Sequence, residues 1–275
     1  MRTIVLFLIL LGCGTSHITA QNDYLVTTIP NQEDPLSEEE QFIKENFPLQ
    51  LLCKWTSGMK FMFIPSGRDM FLPTLSVYET EKGADNSVLK HKILTFAGYE
   101  EKSQKLSNDM SYSTRLIFEC DGEKYYYEIK NTRPDEICEK NPRAYINGLV
   151  NLKDVDTAKD LLTGRKIYVQ SDMAQVDDAN SYSGYREVSI PVNTEATITA
   201  IGVGSQAYPV KIIFQDSQGH SYYLEVALSR TNSGMDVSDF QAEKKMRYFS
   251  NAISFSSKKS GNLETLKDKY IDLTV

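Results

Sequence analysis

The chain carries one pattern of alternating residues twice. Arg115-Leu116-Ile117-Phe118-Glu119-Cys120-Asp121-Gly122-Glu123-Lys124-Tyr125-Tyr126-Tyr127-Glu128-Ile129 parallels Lys211-Ile212-Ile213-Phe214-Gln215-Asp216-Ser217-Gln218-Gly219-His220-Ser221-Tyr222-Tyr223-Leu224-Glu225-Val226, the second copy having one extra residue in its turn. In that copy Val210, Ile212 and Phe214 alternate with Lys211, Ile213 and Gln215, and Tyr222, Leu224, Val226 and Leu228 alternate beyond Asp216-Ser217-Gln218-Gly219. A period of two places one set on a core and the other toward solvent, so each copy predicts a β-hairpin. Leu116, Phe118, Tyr125, Tyr127 and Ile129 are the matching core set of the first copy, joined by Asp121-Gly122, a strong tight-turn pair.

Upstream the parallel continues. Thr95 to Gly98 stands against Thr199 to Gly202, an offset of 104, and Gly58 to Phe63 against Gly164 to Val169, an offset of 106. Offsets that drift while order is kept are what loops of unequal length produce, so an internal duplication is expected. Each copy is led by a short helix. Ser37 to Asn46 opens with a Ser37/Glu40 capping box, and Asp156 to Leu162 precedes Gly164, a helix stop. The second copy then predicts strands at Lys166 to Gln170, Tyr185 to Pro191, Thr197 to Gly202, Val210 to Gln215 and Ser221 to Ser229. Five short antiparallel strands close most economically into a small barrel, with a β-sandwich as the alternative.

Leu162-Thr163-Gly164-Arg165-Lys166-Ile167-Tyr168-Val169 and Tyr208-Pro209-Val210-Lys211-Ile212-Ile213-Phe214 resemble, over roughly residues 50–235, the Src-homology-3-like barrels found in tandem in exported bacterial proteins. The expected fold is mainly β, two tandem five-stranded antiparallel barrels with short helices before each and after the second. Residues 1–20 form a signal peptide, 21–49 an acidic linker and short helix, 50–140 the first barrel, 141–163 a helical linker, and 164–235 the second barrel. Residues 236–275 form a helical cap or stub, with helices expected at Phe240 to Phe249 and Asn262 to Tyr270.

Met1-Arg2-Thr3 followed by an apolar run from Ile4 to Leu11 reads as a secretory signal, since a membrane-spanning helix needs about 20 apolar residues. Cleavage after Ala20 would release the chain to the periplasm or cell surface. Leu10-Leu11-Gly12-Cys13 is the competing end, a lipobox in which Cys13 carries lipid and tethers the chain to a membrane face. After release three cysteines remain, Cys53, Cys120 and Cys138, enough for at most one disulfide; buried free thiols are the expectation, and one disulfide involving Cys120 or Cys138 is the alternative. The formal charge of −7 becomes −8 without Arg2, and no basic cluster longer than Lys258-Lys259 offsets it, so nucleic acid is not an expected partner.

Catalytic and metal constellations are absent from the pattern, and no cofactor is expected. His91 and His220 read as solvated, and Gly202-Val203-Gly204 as a β-connection without the helix that a phosphate cradle requires. Asp177-Asp178 lacks the spacing of a calcium loop, Asp154, Asp156 and Asp160 suit a helix start, and Trp55 suits a core or rim. Alternation turns Tyr126 and Tyr223 outward, which makes them the candidate ligand-facing aromatics. The expected function is a non-enzymatic binding or scaffolding module pair at the cell envelope, recognising a protein, peptide or glycan. A carboxylate-dependent glycan hydrolase is the alternative.

Overall fold

The computed structural model describes residues 35–65, 72–106, 109–181, 183–228 and 247–257. Helix α1, Glu38–Asn46, starts as expected: the Glu40 N–H donates to Ser37 Oγ at 3.2 Å and the Ser37 N–H donates to the Glu40 carboxylate at 2.9 Å. A 3₁₀ turn at Leu52–Lys54 leads to β1, Lys60–Phe63, then β2, Ser76–Val77, and α2, Asn86–Leu89. Strands β3, Ile93–Leu106, β4, Asp109–Cys120, and β5, Glu123–Lys130, form a meander, followed by a 3₁₀ turn and α3, Ile137–Lys140. Strand β6, Leu149–Asn151, runs directly into α4, Leu152–Leu162. The second half comprises β7, Lys166–Val169, β8, Met173–Asp177, β9, Tyr185–Ser189, β10, Thr194–Val203, β11, Val210–Asp216, and β12, Ser221–Val226. It ends in α5, Phe249–Ala252, and β13, Ile253–Ser254.

The chain is mainly β, in two antiparallel sheets, one of them a curled half-barrel. The sheets run β2-β5-β4-β3-β1-β6 and β13-β7-β10-β11-β12-β8-β9. Their registers agree position by position. Lys60 lies opposite Thr95 as Lys166 lies opposite Thr197, and Ile117 opposite Tyr126 as Ile213 lies opposite Tyr223. Both long strands carry a register shift at the same place, between Phe96 and Gly98 and between Ile198 and Ala200. Gly58 and Gly164, at φ +92° and +81°, each donate an N–H at 2.8 Å, to the Phe96 and Ile198 carbonyls respectively. These two glycines occupy the left-handed region, which other residues reach only with strain.

Two apolar clusters follow from this pleating. The first packs Trp55, Phe61, Phe96 and Phe118 beneath the β1, β3 and β4 ladder, with Trp55 and Phe61 ring centroids 4.4 Å apart. The Cys53–Cys138 disulfide, Cα atoms 5.2 Å apart, ties the first 3₁₀ turn to α3 beside it, and Cys120 is a buried free thiol. In the second cluster Ile167, Ile198, Ile212 and Phe214 meet Ala158 and Leu162 of α4, Phe249 of α5, and Ile43 and Phe47 of α1.

Several expectations change. Closed barrels are not formed among the described residues: the sheets end in strands of two or three residues at β2, β6 and β13, and in β9, none of which pairs across to the opposite end. The strand at Tyr185–Ser189 is that far edge and not a barrel wall. The strands beside β1 and β7 are instead β6, inside the stretch expected to be a helical linker, and β13, inside the expected cap. The offset of 104 at Thr95 is 102 in the registers, because a slip of two residues leaves alternation unchanged. Helix α1 packs on the second sheet's core and not on the copy it precedes. The signal features at Cys13 and Ala20, the helix at Asn262 to Tyr270 and nearly all of the one at Phe240 to Phe249 lie outside the described residues.

Candidate functional site

A concavity of about 570 Å³ opens on the second sheet beside the β8–β9 hairpin. The hairpin is built locally. Asp178 donates its N–H to the Gly184 carbonyl at 2.8 Å and accepts from the Asn180 N–H on its carboxylate at 3.0 Å, and Gly184 closes the turn at φ +77°. An Asp that caps its own turn in this way is a strong loop former. It sends β9 back along β8 in the register Gln175 opposite Glu187, with Gln175 in turn opposite Tyr223.

Among the described residues three acidic residues, Asp172, Glu187 and Glu225, and one arginine, Arg247, line the concavity. Arg247 lies 4.9 Å from the Tyr208 ring centroid, and its Nη2 is 3.6 Å from Glu187 Oε1. Tyr208 is positioned by its own loop. The Gly204 N–H donates to the Pro209 carbonyl at 3.0 Å, and a Cβ at Gly204 would run into the Tyr208 carbonyl. Gly204 lies in the β10–β11 connection, as expected, and its lack of a Cβ lets the Tyr208 backbone pass close by. The cleft has a size common for ligand sites and an excess of negative charge.

Tyr126 and Tyr223 do turn away from the apolar clusters, but neither is open to a ligand. They are 6% and 7% exposed. The cation one strand over covers each ring: Arg115 Cζ sits 4.1 Å from the Tyr126 centroid, and Lys211 Nζ 3.6 Å from that of Tyr223. Glu81 holds Arg115 at 2.8 Å, and Asp177 lies 3.8 Å from Lys211. Hydrogen bonds from Lys102 and then from Arg115 keep Glu81 low, at about 2, while burial pushes the Tyr223 phenol up to about 12. A cation over an aromatic face is attracted by the ring quadrupole, and its aliphatic stem excludes water. The aromatics proposed from alternation are therefore walls, and the more exposed Lys211/Tyr223 pair stands beside the cleft.

A second, much smaller cavity of about 20 Å³ holds Asp154 of α4, with Gln50, Tyr145 and Gln206 also on its walls. Asp154 is 9% exposed and accepts no hydrogen bond from a described residue, and burial pushes its carboxyl up to about 6. The Gln206 amide nitrogen is buried with no hydrogen-bond partner among the described residues. Such a volume admits about one water and no sugar ring, and it contains no second carboxylate.

Elsewhere the residues singled out in the sequence are structural. His220 and Asp216 pair at 3.1 Å in an exposed turn, His91 occupies a tight turn at φ +63°, and Trp55 is core. Among the described residues no group of His, Cys, Asp or Glu could hold a metal ion. Arg247, Glu187 and Asp172 were not legible as a site. They come from segments far apart in sequence, with no spacing motif. No family model, curated protein or solved structure matches the chain.

Proposed function

We propose that this chain is a non-enzymatic binding module, and that the cleft of the second sheet takes a positively charged segment of a protein, peptide or amino-bearing glycan. One observation carries the reading: among the described residues three acidic residues line the cleft against a single arginine, itself seated between an aromatic ring and an acid. The Tyr208–Arg247–Glu187 arrangement is the surrounding that a cation prefers, and the protein's own Arg247 occupies it. We read the two sheets as copies of one Src-homology-3-like unit, a reading supported by their shared strand order and registers.

Calorimetric titration with hexalysine tests the binding reading. Wild-type protein should bind it, and Glu187→Lys with Glu225→Lys should weaken binding roughly tenfold or more, while the same charge change at the exposed Glu45 and Glu119, neither of which lines the cleft, should not. Equal affinities in the two double variants would sink the proposal. The reading also places the protein outside the cytoplasm. The apolar run Ile4 to Leu11 and the Cys53–Cys138 disulfide both support that, since disulfides persist in oxidising compartments. Sequencing the N-terminus of protein expressed from the full chain should find Gln21, or else a lipid on Cys13; an intact Met1 would refute export.

A further inference from the structure

Strand β9 ends the second sheet, and its backbone has a readable orientation. Ile190 donates its N–H to the Asp172 carbonyl at 2.9 Å and Asp178 donates to the Gly184 carbonyl at 2.8 Å, one pair just beyond each end of the ladder. Hydrogen-bonded pairs alternate in an antiparallel ladder, so residues 184, 186, 188 and 190 face β8. Tyr185, Glu187 and Ser189 therefore turn their N–H and C=O groups away from β8, to the rim of the sheet, and no further strand pairs with β9 among the described residues. Their side chains share one face, the one on which Glu187 lines the cleft and meets Arg247.

What could occupy this rim is limited by charge. A second copy pairing antiparallel about Glu187 would set Glu187 against Glu187 at cross-strand distance, and like charges directly opposite are destabilising. An extended segment with a cation opposite Glu187 reverses the sign, and its next cation on that face stands over Ser189, beside the acidic cleft. We propose that β9 accepts an extended, lysine- or arginine-bearing segment of a partner protein as an added strand, main-chain pairing supplying affinity and the acidic cleft supplying selectivity. This deepens the binding reading above and rests on the cleft being the site.

Backbone pairing and mere charge attraction separate with N-methylated peptides. The probe is an acetylated, amidated peptide alternating Lys and Thr. Added antiparallel to β9 with its Lys side chains on the Glu187 face, it points its Lys amides at β9 and its Thr amides away. Methylating the Lys amides should lower affinity roughly tenfold or more, and methylating the Thr amides should leave it within about threefold. Binding of the unmethylated peptide should also slow hydrogen exchange at the Glu187 and Ser189 amides of the full protein. Equal affinity of the two methylated peptides would overturn strand addition while leaving cleft binding intact. Failure to bind either the peptide or hexalysine would overturn both. Protection of the Glu187 amide that grows with protein concentration in the absence of peptide would assign the rim to a second copy and overturn the proposed partner.

Discussion

Asp154 shows what burial does to one carboxyl. It sits in the first turn of α4, where the helix dipole favours negative charge, yet desolvation dominates and moves its pKa from 3.8 to about 6. The folded state therefore holds this proton more tightly than the unfolded chain. Asp154 costs nothing below about pH 4, and its penalty grows as pH rises through the folded value, reaching about 3 kcal/mol above about pH 7. Urea midpoints measured across that range should fall with pH in the wild type and fall less in Asp154→Asn. An identical slope in both proteins would refute the assignment. The paired cations give a second comparison. Arg115 is 5% exposed at its side chain and Lys211 26%, so Arg115→Ala should cost about 2 kcal/mol and Lys211→Ala about 0.5 to 1 kcal/mol. Urea unfolding of the two variants checks the order.

At the scale of elements, the disulfide closes a separation of 85 residues around the first meander. Chain entropy alone assigns such a loop about 4.5 kcal/mol, and measured bridges usually deliver about 2 to 4 kcal/mol. The double change Cys53→Ser, Cys138→Ser should therefore lower unfolding stability by about 3 kcal/mol, and denatured, unreduced mature protein should titrate a single thiol, that of Cys120. Alternation made the meanders readable from the residues alone, down to the turn at Asp121-Gly122 and the capping box at Ser37. Edge strands were not readable. Two-residue strands such as β2 and β13 are too short to carry a period, and Tyr185 to Pro191 alternates as well at a rim as in a wall. Tyr126 and Tyr223 were given the correct face and the wrong exposure, since nothing in a period of two says that Arg115 and Lys211 will lie across the rings. The cleft was hidden for a similar reason: it assembles from β8, β9, the Tyr208 loop and Arg247, which no local pattern joins.

Over the whole molecule the decisive contact joins α1 to β13. Glu39 of α1 is 3% exposed and accepts from the Ser254 hydroxyl at 3.0 Å and the Phe255 N–H at 2.8 Å, across 215 and 216 residues. Hydrogen bonds to a buried charge contribute about 1.5 to 3 kcal/mol each, so Glu39→Ala should destabilise by at least about 2 kcal/mol. It should also loosen β13, and the Gln170 amide, which donates to the Ala252 carbonyl at 2.8 Å, should lose exchange protection. Retained protection at Gln170 in that variant would show that the strand stands without the helix. Because Glu39 leaves the ribosome long before Ser254 exists, and synthesis runs at about 5 to 20 residues per second, the N-terminal helix waits roughly 10 to 40 seconds for the surface it covers. For most of that interval the second core that Ile43 and Phe47 enter is incomplete, and helix and strand stay unlocked until Ser254 has been made.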